Sequence, residues 1–110
     1  MDVTFEDFHT VITNRIMSPG AFYYPDPWWE KEIEVFTTNV EETIRFIRFE
    51  CSDEEMHWLG EIFDDLIEKT QSMALLNCLR ERVGRIQDKQ IRDEALADVQ
   101  NAADFLNTPT

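Results

Sequence analysis

Apolar residues recur at three- and four-residue intervals along most of the chain, which is the period of an amphipathic helix. No segment alternates apolar and polar residues for long enough to predict a β-strand. Only three glycines and four prolines interrupt the helical pattern in 110 residues. The pattern therefore predicts an all-α fold, in which residues 1–110 form a single-domain bundle of five or six short helices and residues 107–110 are frayed.

Residues that commonly cap helix N-termini indicate where these helices begin. The clearest capping box is Ser52 followed by Glu55, a spacing in which each side chain accepts a backbone N–H of the other residue. Thr4 and Asp7 have the same spacing near the start of the chain. Further candidate caps are Asn39, Ser72 and Asp88.

Three details of the helical pattern need a structure to decide them. Thr37-Thr38-Asn39-Val40 is a poor helix interior, so residues 27–50 form either one kinked helix or two. Residues 53–69 are expected to form one helix in which either Ile62 or Phe63 lies inward. Phe49 is expected beside the apolar face of its own helix, the one that precedes residues 53–69.

Charge adds a functional question to this fold. The chain carries 23 acidic and 10 basic residues, a net charge of −13. Residues 26–68 contain 14 acids and three bases, whereas residues 69–92 carry a net charge of +4. A small domain stays soluble with a net charge of about 2–8 in magnitude, and concentrated like charge costs stability. The excess indicates either a generically acidic domain or a surface for a cationic partner, and it disfavours direct binding of nucleic acid or of an anionic membrane.

The same composition predicts a cytoplasmic protein. The N-terminus has no basic region and no long apolar run, so we expect no signal peptide. No stretch approaches the roughly 20 apolar residues of a membrane span. Cys51 and Cys78 lie far from any C-x-x-C spacing, and we expect both to be reduced and core-lining.

The helix predicted to follow Ser52 carries a run of acids on the side opposite its apolar residues. We call this run the acidic stripe; it consists of Glu54, Glu61, Asp64, Asp65 and Glu68, with His57 among them. Like charges at such spacing are mildly destabilising. The stripe is therefore either an ordinary solvated face or a docking surface for arginines and lysines. Paired carboxylates for hydrolysis are the least favoured alternative, because one helix face provides no cleft.

A second candidate surface is the aromatic segment at residues 22–29. Tyr23 and Tyr24 shortly precede Asp26, and tyrosine and tryptophan are enriched at binding hot spots. These tyrosines could anchor a basic partner. The alternative is that the aromatic residues clamp the loop over the core.

A metal site is the weaker hypothesis for the two histidines. Both follow a glutamate by three residues, as Glu6–His9 and Glu54–His57, and Glu-x-x-His on two helices is half of a ferritin-like di-iron site. Both pairs lie in a first helical turn, however, where glutamate has a simpler role in capping. We therefore expect no metal, no cofactor and no catalytic residue.

Residues 52–72, SDEEMHWLGEIFDDLIEKTQS, resemble the immunity proteins of bacterial contact-dependent growth inhibition systems, and the resemblance extends weakly from Trp28 to Arg82. It implies a non-enzymatic protein that binds a cognate toxin domain, often a basic nuclease, and blocks it inside the cell. The triplet at 23–25 is also similar to one in the helical immunity proteins of DNase colicins, but its context differs and its role is not transferred. The alternatives are a helical adaptor or scaffold protein and, third, a metal-dependent helical-bundle enzyme.

Overall fold

A computed structural model describes residues 4–17 and 27–107 of the chain. Within these ranges there are seven α-helices and no β-strand, which confirms the predicted all-α fold. The helices are α1 (Phe5–Met17), α2 (Pro27–Thr38), α3 (Val40–Phe49), α4 (Asp53–Leu59), α5 (Phe63–Thr70), α6 (Met73–Gly84) and α7 (Lys89–Ala103). A 3-10 turn, Gly60–Ile62, joins α4 directly to α5, so these residues form six continuous helical segments. None of the described helices is both long enough and apolar enough to cross a membrane.

The predicted caps lie at the helix starts. The Glu55 N–H donates to Ser52 Oγ at 3.1 Å, and the Ser52 N–H donates to Glu55 Oε1 at 3.0 Å, which completes the capping box. Thr4 and Asp7 form the same reciprocal pair. The remaining predicted caps accept a backbone N–H of the turn that follows them; they are Asn39, Ser72 and Asp88. Because a cap typically contributes about 1 kcal/mol, these residues define the helix starts.

Residues 27–50 form two helices rather than one kinked helix. Asn39 adopts an extended conformation between α2 and α3, with φ −141° and ψ 100°. The buried Thr43 side chain donates its hydroxyl to the Phe36 carbonyl at 2.8 Å, and so satisfies an acceptor at the end of α2. The break is therefore closed by a hydrogen bond between the two helices.

The prediction of one uninterrupted helix over residues 53–69 is wrong. The 3-10 turn separates α4 from α5, and both Ile62 and Phe63 are fully buried, where the regular pattern allowed one of them. Gly60 begins this turn, and a Cβ atom added to it would lie 2.5 Å from Asp98 Oδ2 of α7. The missing side chain of Gly60 thus leaves room for the Asp98 carboxylate beside the turn.

The C-terminal end of the described chain is tied to the end of α5. Gln71 has φ 49°, the left-handed conformation that ends many helices, and its Nε2 donates to the Phe105 carbonyl at 2.8 Å. The Asn107 N–H donates to Gln71 Oε1 at 2.7 Å. Asn107, expected to be frayed, is therefore hydrogen-bonded, and residues 108–110 lie outside the described ranges.

Three stacked or tilted phenylalanine rings form the core between α1, α2 and α3. The ring of Phe8 lies 4.7 Å from that of Phe36 and 4.8 Å from that of Phe46, measured between centroids. Phe49 is not part of this core, because its side chain is 73% exposed. The expectation that Phe49 lies beside the apolar face is wrong; Thr43 takes the inward position.

Cys51 and Cys78 are both buried and free, as expected. Burial raises the pKa of each thiol, so neither is a reactive thiolate at neutral pH.

Candidate functional site

The structure divides the acidic stripe among three elements. Glu54 is exposed on α4, and Glu61 lies in the 3-10 turn. Asp64 and Asp65 are half-buried on α5, whereas Glu68 is exposed near its end. The five residues therefore differ in their surroundings, and they are not equally available as contacts for a partner.

Glu61 is engaged in a contact within the fold. Its Oε1 atom lies 2.7 Å from Nη2 of Arg15, whose side chain is only 9% exposed. The Arg15 guanidinium also lies over the Trp29 ring, 5.3 Å from its centroid. Because Arg15 is on α1 and Trp29 on α2, this cation connects the 3-10 turn to two other helices, and it offsets the charge of Glu61.

The carboxylates of α5 lie close to acids from α7. Burial raises the pKa of Asp64, and the charges of Asp104 and Glu68 raise it further. The pKa of Asp65 is raised by burial and then by Asp64 and Glu68, and Lys69 opposes this rise. The side chains at the start and end of α5 therefore repel one another and also face an acid beyond the end of α7.

Asp98 extends this group along α7. Burial raises its pKa, the charges of Asp64 and Glu94 add to the rise, and His57 opposes it. Asp98 is the residue whose carboxylate lies against Gly60. We define the α5–α7 carboxylate cluster as Asp64, Asp65, Glu68, Asp98 and Asp104.

Sequence reasoning missed the two members of this cluster that α7 and its C-terminus supply. Asp98 and Asp104 belong to a helical segment whose own acids are not unusually dense, so nothing local distinguishes them. Only the packing of α7 against α5 brings them to Asp64. The signal available in the sequence was the uncompensated negative charge of α5.

The basic residues of the chain behave differently from these acids. Arg82 is buried, and its Nη2 donates to the Cys51 carbonyl at 2.9 Å and to Asp53 Oδ1 at 2.7 Å. The hydrogen bond from Arg82 lowers the pKa of Asp53 against the opposing effect of burial. Arg82 thus holds the segment between α3 and α4 onto α6.

Two more arginines of the positive segment donate to backbone carbonyls. Arg85 Nη2 donates to the Arg48 carbonyl at 3.2 Å, and Arg92 Nη1 donates to the Ile86 carbonyl at 3.0 Å. We refer to Arg82, Arg85 and Arg92 as the arginine–carbonyl set. Much of the positive charge in residues 69–92 is therefore used inside the fold, whereas the carboxylates of the α5–α7 carboxylate cluster face one another.

The two Glu-x-x-His pairs do not assemble into a metal site. His9 Nδ1 lies 2.6 Å from Oε2 of Glu55, the capping residue of α4, and His9 Nε2 lies 3.4 Å from Glu50 Oε1. His57 is exposed, with its ring 6.0 Å from that of Trp58. Over residues 4–17 and 27–107, no three histidine, cysteine or acidic side chains are grouped so that they could hold a metal ion.

Burial alone would lower the pKa of His9, but the hydrogen bond and charge of Glu55, and then those of Glu50, outweigh it. The net effect is a raised pKa. His9 is thus held between the end of α3 and the start of α4, and it joins α1 to both.

Tyr23 and Tyr24, predicted as aromatic anchors, lie outside the described residues. Comparison of the chain with protein-family models, with curated proteins and with solved structures found no match. The resemblance to immunity proteins therefore stays a hypothesis, and the charges and contacts of the described residues are the observations that bear on function.

Proposed function

We propose that this chain is an immunity protein: a cytoplasmic binding protein that neutralises a basic toxin domain by covering its cationic surface. The observation that carries this proposal is the α5–α7 carboxylate cluster, in which burial and mutual repulsion raise the pKa of Asp64, Asp65 and Asp98. Within a fold that pairs its buried arginines, such repulsion is a cost that a cationic ligand would relieve. Neither a reaction nor a cofactor is part of the proposal.

Electrostatics would act at two stages of this binding. A field concentrated on one surface speeds encounter with a basic protein, by roughly 10- to 1000-fold at low salt. After contact, lysines and arginines of the toxin replace water around the carboxylates and remove their mutual repulsion. A nuclease uses such cations to hold phosphates, so occupying them blocks its substrate.

The members of the acidic stripe would contribute unequally. Asp64, Asp65 and Glu68 are the principal contacts, because they belong to the α5–α7 carboxylate cluster. Glu54 is exposed at the start of α4 and suits the rim of an interface. Glu61 already contacts Arg15, so it supports the turn more than it supplies a binding charge. Tyr23 and Tyr24 are retained as candidate aromatic anchors from the sequence alone.

Charge reversal tests this function in cells that make the toxin. The gene immediately upstream is tested as the source of the toxin: its product is expressed together with the chain, and survival and affinity are measured. We expect the Asp64→Lys/Glu68→Lys double variant to lose protection. Each reversed charge in a desolvated interface costs about 2–5 kcal/mol, so the two reversals together should raise the dissociation constant by at least about 700-fold.

A matched control changes net charge equally at another place. Glu41 on α3 and Glu81 on α6 are exposed, and neither belongs to the acidic stripe. The Glu41→Lys/Glu81→Lys variant should protect as well as the wild type. If both double variants protect fully and bind the toxin tightly, the α5–α7 carboxylate cluster is a solvated surface and the proposal fails.

A further inference from the structure

A second surface with acidic and aromatic lining lies on other helices, between α1 and the end of α3. It is a shallow groove of about 420 Å³. Phe5, Glu6 and His9 of α1 line one side, and Glu50, the residue after α3, lines the other. The groove therefore combines an aromatic ring with two carboxylates.

The groove is held in shape by contacts beneath it. The Phe5 ring packs edge-to-face on the buried Phe46, with centroids 5.8 Å apart. The Glu50 side chain is 47% exposed, and its polar contact within the described chain is the 3.4 Å approach to His9. His9 itself is held more closely by Glu55 at 2.6 Å. Glu50 can thus accept another donor without loss of the bond that fixes His9.

We propose that this groove receives one arginine side chain of a basic protein partner, with the guanidinium over Phe5 and its N–H groups donating to Glu50 and Glu6. A planar guanidinium both stacks on an aromatic face and pairs with a carboxylate through two N–H groups. An ammonium group is a strongly hydrated point charge and uses such a groove less well. The inference rests on the proposed function, because the basic partner is the same protein.

Arrival of an arginine would change the electrostatic surroundings of His9. The charged groups that act on His9 are Glu55 on α4 and Glu50 after α3, and Glu6 on its own helix lines the same groove. A guanidinium at Glu50 neutralises one of these and places a like charge beside the imidazole. The pKa of His9 should therefore fall on binding.

The experiment titrates the full-length protein with N-acetyl-arginine methylamide and follows it by NMR. We expect the backbone amide signals of Phe5, His9 and Glu50 to move, and the His9 titration midpoint to fall. The citrulline analogue has nearly the same shape without the charge and should cause little change. The Glu50→Gln variant should bind the arginine probe about three- to five-fold more weakly, as expected for one exposed charge pair.

Glu41→Gln is the matched control, because Glu41 is an exposed glutamate on α3 that does not line the groove. It should bind the probe as the wild type does. Shifts confined to α5 and α7, equal binding of the citrulline analogue, or an unchanged affinity in Glu50→Gln would each overturn the assignment. The measurement contains no toxin, so its failure leaves the charge-reversal test of the proposed function intact, and the reverse also holds.

Discussion

The arginine–carbonyl set and the α5–α7 carboxylate cluster use charge in opposite ways. Arg82 donates to a buried carbonyl and to Asp53, so its charge is fully engaged within the fold. Asp64 instead faces Asp104 and Glu68, which carry charge of the same sign. The excess negative charge is therefore not distributed at random. Around Arg82, opposite charges are paired, whereas in the α5–α7 carboxylate cluster like charges face one another.

Opposite pKa shifts of two aspartates express this difference. The hydrogen bond from Arg82 lowers the pKa of Asp53, so the ionised form stabilises the fold. Burial and neighbouring acids raise the pKa of Asp64, so its ionised form destabilises the fold. The same chemical group thus contributes with opposite sign in the two regions, and this can be measured.

Removal of Arg82 should have the largest effect on stability. Arg82→Met deletes an ion pair and a hydrogen bond to the Cys51 carbonyl, and it leaves that carbonyl without its donor. We expect a loss of about 2–3 kcal/mol in the free energy of unfolding, measured in urea. Binding of the toxin should be unchanged under conditions where the variant is folded.

Arg85 provides the matched control for Arg82. It is an exposed arginine immediately after α6, and it donates a hydrogen bond of 3.2 Å to the Arg48 carbonyl. Arg85→Met should cost less than about 1 kcal/mol. Equal losses in the two variants would mean that burial of Arg82 adds nothing, and the contrast between the two regions would weaken.

Neutralisation within the carboxylate cluster should have the opposite sign. We expect Asp64→Asn/Asp98→Asn to stabilise the protein by about 0.5–1 kcal/mol at pH 7, since both groups are partly exposed and screened. A raised pKa means that the folded state binds more protons, so wild-type stability recovers as pH falls toward the ordinary carboxyl pKa of 3.8. The advantage of the variant should therefore disappear near that pH.

Asp53→Asn is the mirror-image control for this pH profile. The lowered pKa of Asp53 means that its contribution is present above the ordinary value of 3.8 and is lost as pH falls through the lowered one. This variant should be less stable than the wild type at pH 7, and the gap should close in acid. If both sets of variants changed the stability at pH 7 in the same direction, the contrast between the Arg82 region and the α5–α7 carboxylate cluster would be wrong.

His9 should give the smallest effect. Because the pKa of His9 is raised, its stabilising contribution is complete below 6.5 and is lost as pH rises through the higher folded-state value. We expect His9→Gln to cost about 0.5 kcal/mol at pH 6 and less at pH 8.5, measured by urea unfolding. His57→Gln, which changes an exposed histidine on α4, is the matched control.

Local features of the sequence predicted most of the fold. The capping residues act within one helical turn, so Ser52 with Glu55 and Thr4 with Asp7 could be recognised from spacing alone. The position of Asn39 likewise predicted the break before α3. These predictions hold because their partners lie three residues away in the chain.

Contacts between distant segments could not be predicted in this way. The Asp98 carboxylate of α7 lies beside Gly60 in the 3-10 turn, and Glu61 of the same turn contacts Arg15 of α1. Phe49 fits the helical period but is exposed, because α3 turns Thr43 inward to bond with α2. Each of these outcomes is decided by the packing of one helix on another, which periodicity does not specify.

The 3-10 turn at Gly60–Ile62 also sets the direction in which the side chains of α5 project around the helix axis. An α-helix advances by about 100° per residue and a 3-10 helix by about 120°, so three residues add a rotation of about 60°. Asp64 and Glu68 therefore lie about 20° to either side of the line of Glu54, instead of about 80° and 40° to one side of it. A substitution that restored regular α-helical geometry would rotate α5 as a unit and so change which of its acids face α7, although no carboxylate had been removed.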